Sequence, residues 1–409
     1  MLTAIIIFAL TYLFISFQNI PGIHLNRCAA SLAGAAAMAG LGIVTLPEAY
    51  RLVDLDTLVF ILGMMIVIGY MEVSGFFELL EHVIIRKAAT TRHLLALVIG
   101  ASGLLSALFM NDTICLMLTP IVLRAVTKNG LNPNPYLIAL ATSANIGSAF
   151  TPMGNPQNMI IAIHSGVSFK YFVTAIAPVA AAGLVLNYFI MLRCYKEEFA
   201  AGKAVAFGEK EHFKVKTRLL YVCLGAMVLL LGLFAADVKP PLAAICVAGI
   251  LIIAGATRPR EAFKNVDWEL LLMFASLFVV MGGLRKSGAL TGLFGWLEGL
   301  TAAPEAAKAA AVAASSSVLS NLVSNVPCVV FYTNLLPHMG NSATLWLVLA
   351  AATTIAGNLT IIGSVANLIV FESARKQTRI GFWEYSRAAL PLAVFLIAGS
   401  TLWLVFLGR

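Results

Sequence analysis

Charged residues are scarce in this sequence. Only 11% of the 409 residues are Asp, Glu, Lys or Arg, while 60% are hydrophobic. A soluble chain of this size needs far more charge to cover its surface, so most of this surface is expected to face lipid. No polar stretch is long enough for a soluble domain; the longest runs from Arg193 to Arg218. No GxxxxGK[ST] segment is present, so ATP could drive this chain only through a partner ATPase. The six cysteines show neither CxxC nor CxxxH spacing, which points away from a disulfide framework or a zinc site. Among the histidines, His82, His93, His164, His212 and His338 stand at no metal-ligand spacing from one another. No cofactor and no metal are expected. The apolar segment Leu2 to Phe17 lacks a basic start and a small-residue cleavage site, so it reads as a retained helix.

What fills the sequence instead is apolar runs long enough to cross a ~30 Å hydrocarbon core. Ten full crossings are predicted, over 2–18, 27–45, 56–78, 136–163, 171–193, 217–236, 240–256, 267–285, 344–374 and 383–407. Two further segments, 93–127 and 305–338, are too long for one span and carry a polar break near the middle. Each reads as a re-entrant hairpin that enters and leaves on one side. The net charge of +8 comes from Lys and Arg in loops, which set membrane orientation and do not suggest nucleic acid. The clusters Arg86/Lys87/Arg92, Arg124/Lys128, Lys196 to Arg218, Arg258/Arg260/Lys264 and Arg375/Lys376/Arg379 all fall on one side if the hairpins do not cross. That side is the cytoplasm of a multi-pass protein in a bacterial inner membrane, with both termini periplasmic.

The two halves repeat each other. Glu48, Val53, Asp54, Leu58, Gly69, Ser74 and Gly75 recur as Glu261, Val266, Asp267, Leu271, Gly282, Ser287 and Gly288, at a constant offset of 213. The offset continues from Asp112 to Asn325 and from Cys115 to Cys328, and becomes 209 from Gly154 to Gly363 and from Asn158 to Asn367. The charge rule runs 56–78 inward and 267–285 outward, so the repeats are inverted. Carriers of that kind bind their solute near the midplane at the repeat interface. The expected fold is all-α and polytopic, with a first helix in 1–26, a first repeat over 27–193, a basic cytoplasmic loop over 194–216 and a second repeat over 217–409.

Four segments place amides and hydroxyls at membrane depth: Asn111-Asp112-Thr113, 143–158 (SANIGSAFTPMGNPQN), 320–327 (SNLVSNVP) and 356–367 (AGNLTIIGSVAN). Thr151-Pro152, Gly154-Asn155-Pro156, Gly357-Asn358 and Gly363-Ser364 should break the fourth and ninth spans. Irregular backbone at that depth survives only inside protein or beside a watery cavity. The breaks expose helix N-termini that attract oxygen-rich or anionic ligands. Substrate-binding candidates are Asn111, Thr113, Asn145, Thr151, Gly154, Asn155, Gln157, Asn158, Ser324, Asn325, Asn358, Gly363, Ser364 and Asn367. A single buried Asn is ordinarily helix–helix glue; four clusters in matching positions of two repeats indicate a transport site. Asp112 is the only carboxylate in the four segments, and an acid at that depth is costly unless functional. It is the candidate for proton or ion coupling, with capping of a half-helix as the plainer role. Cys115 and Cys328 could contact a thiophilic ion, although packing explains them as well.

These motifs resemble the ion transporter superfamily, which holds arsenite/antimonite efflux permeases, sodium/proton antiporters and divalent-anion/sodium symporters. The resemblance covers nearly the whole chain. An Asn-Asp pair at the first hairpin tip is similar to the arsenite permease branch, while the GNPQN run is closer to anion permease relatives. No Lys or Arg lies within 94–123, 136–169, 309–337 or 339–374, which disfavours a dicarboxylate or citrate. The expectation is therefore arsenite or antimonite efflux by proton antiport, driven by the proton gradient, with a small inorganic solute and the bilayer as partners. A sodium-coupled carboxylate transporter and a sodium/proton antiporter are the alternatives of the same fold. An intramembrane enzyme would need a nucleophile–base pair, and no His or second acid accompanies the serines of the four segments. Oligomeric state is not legible.

Overall fold

The computed structural model describes residues 1–16, 26–80, 89–200, 215–255, 258–289 and 302–408. Arg86, Lys87, Lys203, Lys210 and Lys214 of the basic clusters, and His82 and His212, lie outside the described residues. The chain folds into helices: α1 (Leu2–Ser16), α2 (Arg27–Gly40), α3 (Leu46–Leu52), α4 (Leu55–Ser74), α5 (Thr91–Leu108), α6 (Asn111–Lys128), α7 (Pro133–Ser148), α8 (Pro156–His164) and α9 (Phe169–Cys194). The second half follows with α10 (Thr217–Ala235), α11 (Pro240–Ala254), α12 (Trp268–Lys286), α13 (Glu305–Val323), α14 (Asn325–Leu335), α15 (Ala343–Ala356), α16 (Val365–Ala374) and α17 (Phe382–Leu407).

Local chemistry sets these boundaries. Asp54 starts α4 by accepting the Thr57 amide, and its repeat mate Asp267 starts α12 by accepting that of Leu270. Gly75 ends α4 with a left-handed φ of 84°. The first long segment breaks at Phe109-Met110 between α5 and α6, and the second at Ser324 between α13 and α14. The two other irregular stretches, 149–155 and 357–364, separate α7 from α8 and α15 from α16. Prolines 156 and 178 behave differently. Pro156 sits at the first position of α8, where its missing N–H costs nothing. Pro178 is tolerated inside the long α9.

Among the described residues, seven helices are long and apolar enough to cross a membrane: α4, α5, α9, α10, α12, α13 and α17. Four shorter apolar helices, α1, α11, α15 and α16, accompany them. Burial sorts them into layers. The apolar window of α4 is 72% buried, while those of α9 and α17 are 33% buried. The outer helices present Phe189, Val228, Ile253, Phe395 and Leu402 at the surface, as a lipid-facing shell requires.

Helix positions reproduce the repeat. The starts at Arg27, Leu46 and Leu55 recur at Pro240, at the start of a short helix Pro259–Phe263 and at Trp268, each 213 residues on, and Pro156 recurs at Val365, 209 on. The α1–α2 pair also has its counterpart in α10–α11, so on helix positions the repeated unit begins at α1, ahead of residue 27. The halves interlock instead of sitting side by side. Helix α2 packs on α12 of the other half, and α11 packs on α4. Likewise α6 packs on α16, and α14 on α8.

Candidate functional site

Two symmetric braces hold the broken helices. The Asn158 side-chain amide donates to the Ser148 and Thr151 carbonyls at 3.1 and 3.3 Å. Its mate Asn367 donates to the Gly357 and Thr360 carbonyls, 209 residues on, at 2.8 and 3.2 Å. Each Asn thus satisfies carbonyls that the break strips of their helical partners. Two hubs join these braces. Asn145 donates to Asn358 (2.8 Å) and Asn367 (3.0 Å), and accepts from Asn111 and Ser364 (3.0 Å each). At the mate position Thr354 accepts from Asn155 (3.2 Å) and Gln157 (3.5 Å), and donates to Asn158 (3.4 Å). Thr151 donates to the Ala107 carbonyl and pins the first break to the first hairpin. Gly154 and Gly363 of the two breaks are there for space. A Cβ on Gly154 would meet the Ser148 carbonyl oxygen at 2.3 Å, and one on Gly363 would meet Asn321 Oδ1 at 2.4 Å.

Beside this network lies a cavity of about 360 Å³. Its lining is built from the N-terminal ends of six helices. These are α2 (Asn26, Arg27, Cys28), α6 (Asn111, Asp112), α8 (Pro156, Gln157), α12 (Asp267, Glu269, Leu270, Met273), α14 (Ser324, Asn325, Val326) and α16 (Ser364, Val365, Leu368). Each end carries roughly half a positive charge. The residues that precede α6 and α14 make no side-chain cap; at α6 the Asn111 backbone amide donates instead to the Gly154 carbonyl and Asn111 Oδ1 accepts the Asp112 amide. Among the charged lining side chains, one guanidinium, Arg27, faces three carboxylates, Asp112, Asp267 and Glu269. Asn26 ties α2 to α12 by donating to Glu269 at 2.9 Å.

The sequence candidates therefore divide. Asn111, Asp112, Gln157, Ser324, Asn325 and Ser364 line the cavity. Asn145, Thr151, Gly154, Asn155, Asn158, Asn358, Gly363 and Asn367 are not among its lining residues; they are buried behind it, with their side chains or their space committed to holding the breaks. Thr113 sits half-buried in the first turn of α6, off the lining. Cys115 and Cys328 are buried away from the cavity, and the Cys328 thiol donates to the Ser316 carbonyl. Among the candidate residues one buried atom breaks the pattern of satisfaction: Asn325 Oδ1 has no hydrogen-bond partner, at a tip where Ser324 holds a φ of 76°. A non-glycine residue there stores ~1–3 kcal/mol of strain. It is the cost of turning the chain so that Asn325 lines the cavity.

Residue-type reasoning misses Arg27, Asp267, Glu269 and the hub Thr354. The motif segments do lack cations, but α2 delivers one from outside them, so the disfavour of anions on that ground is corrected. The VD-x-acid element shared by Asp54/Asp56 and Asp267/Glu269 was the available signal, since acids recurring at one helix start are more than composition.

A family model described as "Citrate transporter" matches residues 6–353. The chain belongs to the citrate transporter family. That family lies within the ion transporter superfamily to which the hairpin and broken-helix motifs point. A silicon efflux transporter of Oryza sativa subsp. japonica is 29% identical, over 96% of this chain and 95% of that one. A Dictyostelium discoideum protein that bears the transporter name arsB is 26% identical, over 99% and 92%. The crystal structure of the YdaH transporter of Alcanivorax borkumensis, described as having an unusual topology, shares the fold. Its TM-score is 0.59, at 14% identity over 99% of this chain and 96% of that one. As a member of the citrate transporter family the chain is a multi-pass secondary transporter, and the cavity at the hairpin tips is its candidate solute site.

Proposed function

We infer that this transporter exports a small neutral hydroxide, arsenous or antimonous acid by its hairpin motif, in exchange for protons. The charge balance of the cavity carries the reading. Three carboxylates against Arg27 leave the side chains two charges negative when all are ionised. Six helix N-termini at roughly half a charge each, about +3 together, outweigh that excess by about one charge and leave the site close to balance. Such a site suits a neutral solute that needs only donors and acceptors, which Asn111, Gln157, Ser324, Asn325 and Ser364 supply. The orphaned Asn325 Oδ1 is a ready acceptor for a solute hydroxyl. Silicon efflux by a relative supports the same solute class, since silicic acid is also a small neutral hydroxide. Asp112 is the coupling acid: it stands at a hairpin tip and lines the cavity, and an acid at that depth is costly unless functional. With the basic loops cytoplasmic, Asp267 directly follows the cytoplasmic cluster of Arg258, Arg260 and Lys264 in the chain, and the cavity that it lines opens inward.

A second reading has an observation of its own. Arg27 and the N-termini also suit a citrate-like anion carried with cations or protons, in keeping with the family's description. The test is proton-driven uptake into everted vesicles of arsenite, antimonite, silicic acid and citrate. The expected result is uptake of the metalloids, abolished by a protonophore and lost in Asp112→Asn. Uptake that survives Asp112→Asn would leave the solute and reduce Asp112 to a cap. Uptake of citrate alone, removed by Arg27→Gln, would replace the neutral hydroxide with the anion.

A further inference from the structure

The two repeats have one fold but not one conformation. In the second half the cavity separates α12 from α16: Leu270 and Met273 line one wall, and Val365 and Leu368 another. In the first half the mates of those helices, α4 and α8, pack directly on each other. The mate of Leu270 is Thr57 and that of Met273 is Phe60, and both mates are fully buried. Asp267 opens onto the cavity, whereas its mate Asp54 is held by Thr57 and by His164 Nε2 at 2.8 Å. His164 is the last residue of α8 and Asp54 the cap of α4, so the pair pins a broken helix to the central span.

We propose that the α4–α8 seam is a second mouth of the transport route, closed in this state, and that the His164–Asp54 pair is the latch that shuts it. Inverted repeats alternate by exchanging conformations around one site. The hairpin-tip lining changes little under that exchange, because Asn111 maps to Ser324 and Asp112 to Asn325. The walls do change: α4 takes the place of α12, and α8 that of α16. The latch has no equivalent on the other side, where the mate of His164 is Ser373. The unequal latch biases the carrier toward the state with the α4–α8 seam closed. This assignment rests on the transporter family and the geometry, not on the solute.

The test needs no substrate. In a variant whose six cysteines are replaced, Thr57→Cys reports the closed mouth and Leu270→Cys the open one, each by its rate of reaction with a small maleimide in proteoliposomes. Adding His164→Ala is expected to raise labelling at position 57 about fivefold, the worth of one partly exposed histidine–carboxylate hydrogen bond. Labelling at position 270 should fall in step. His164→Gln, which keeps a hydrogen bond to Asp54, should lie between the two. A protein merely loosened by the substitution would label faster at both positions, and that result, like no change at either, would overturn the proposal.

Discussion

At the residue scale the amides do two different jobs. Asn158 and Asn367 each cap carbonyls left bare by a break, and neither is solvent-accessible. Removing either leaves buried acceptors unsatisfied, at about 1–3 kcal/mol per group. Asn158→Ala and Asn367→Ala should therefore lower the melting temperature in detergent. Asn325→Ala should leave it nearly unchanged and weaken solute affinity instead, because Asn325 Oδ1 has no protein partner to lose. Sequence alone cannot separate the two classes. It marks a buried Asn by its chemistry, but whether the amide points at a carbonyl or a cavity is decided by the fold around it. A surface pair gives a cleaner residue-scale prediction. Lys286 on the end of α12 binds Glu48 at 2.6 and 2.7 Å, and the Thr45 amide adds a capping bond, so the carboxyl is held down to about 2. A lowered value means stability that is present at neutral pH and lost as pH falls through the ordinary glutamate range toward 2. The melting-temperature difference between wild type and Glu48→Gln should accordingly be largest at pH 7 and shrink on acidification.

At the scale of elements, the breaks were readable because Pro and Gly act locally. Pro156 and Gly154 mark the end of 149–155 wherever the rest of the chain goes. Contacts between elements were not readable in the same way. Helix α2 carries Arg27 into the cavity from outside every polar motif, and no periodicity in α2 announces that neighbour. Close helix approach is another such case. In α7, Gly147 lies so near α5 that a Cβ would sit 2.0 Å from the Gly103 carbonyl oxygen, which is backbone and cannot swing aside. Gly225, in α10, has nothing within 4 Å. Gly147→Ala should separate α5 from α7 and destabilise by ~1–3 kcal/mol or more, seen as aggregation or a lower melting temperature. Gly225→Ala should be neutral or slightly stabilising by the same measurement.

At the scale of the molecule, the repeat was the most legible feature. A gap-free offset of 213 is a property of the string itself, and the helix starts return it in three dimensions. The way the halves interlock was hidden, since self-similarity says that two units are alike and not which face each turns to the other. That interlocking has a consequence for how the protein is made. The partner of α2 is α12, and the partner of α6 is α16, each more than two hundred residues further along the chain. At ~5–20 residues per second of synthesis, the first half waits roughly 10–50 s in the bilayer before Asn26 meets Glu269 and Asn145 meets Asn358 and Asn367. A ribosome that pauses before α12 would leave those polar groups facing lipid for as long as the pause lasts, so the tempo of translation, and any insertase able to shelter a charged half-protein, governs how much of this transporter reaches its folded state.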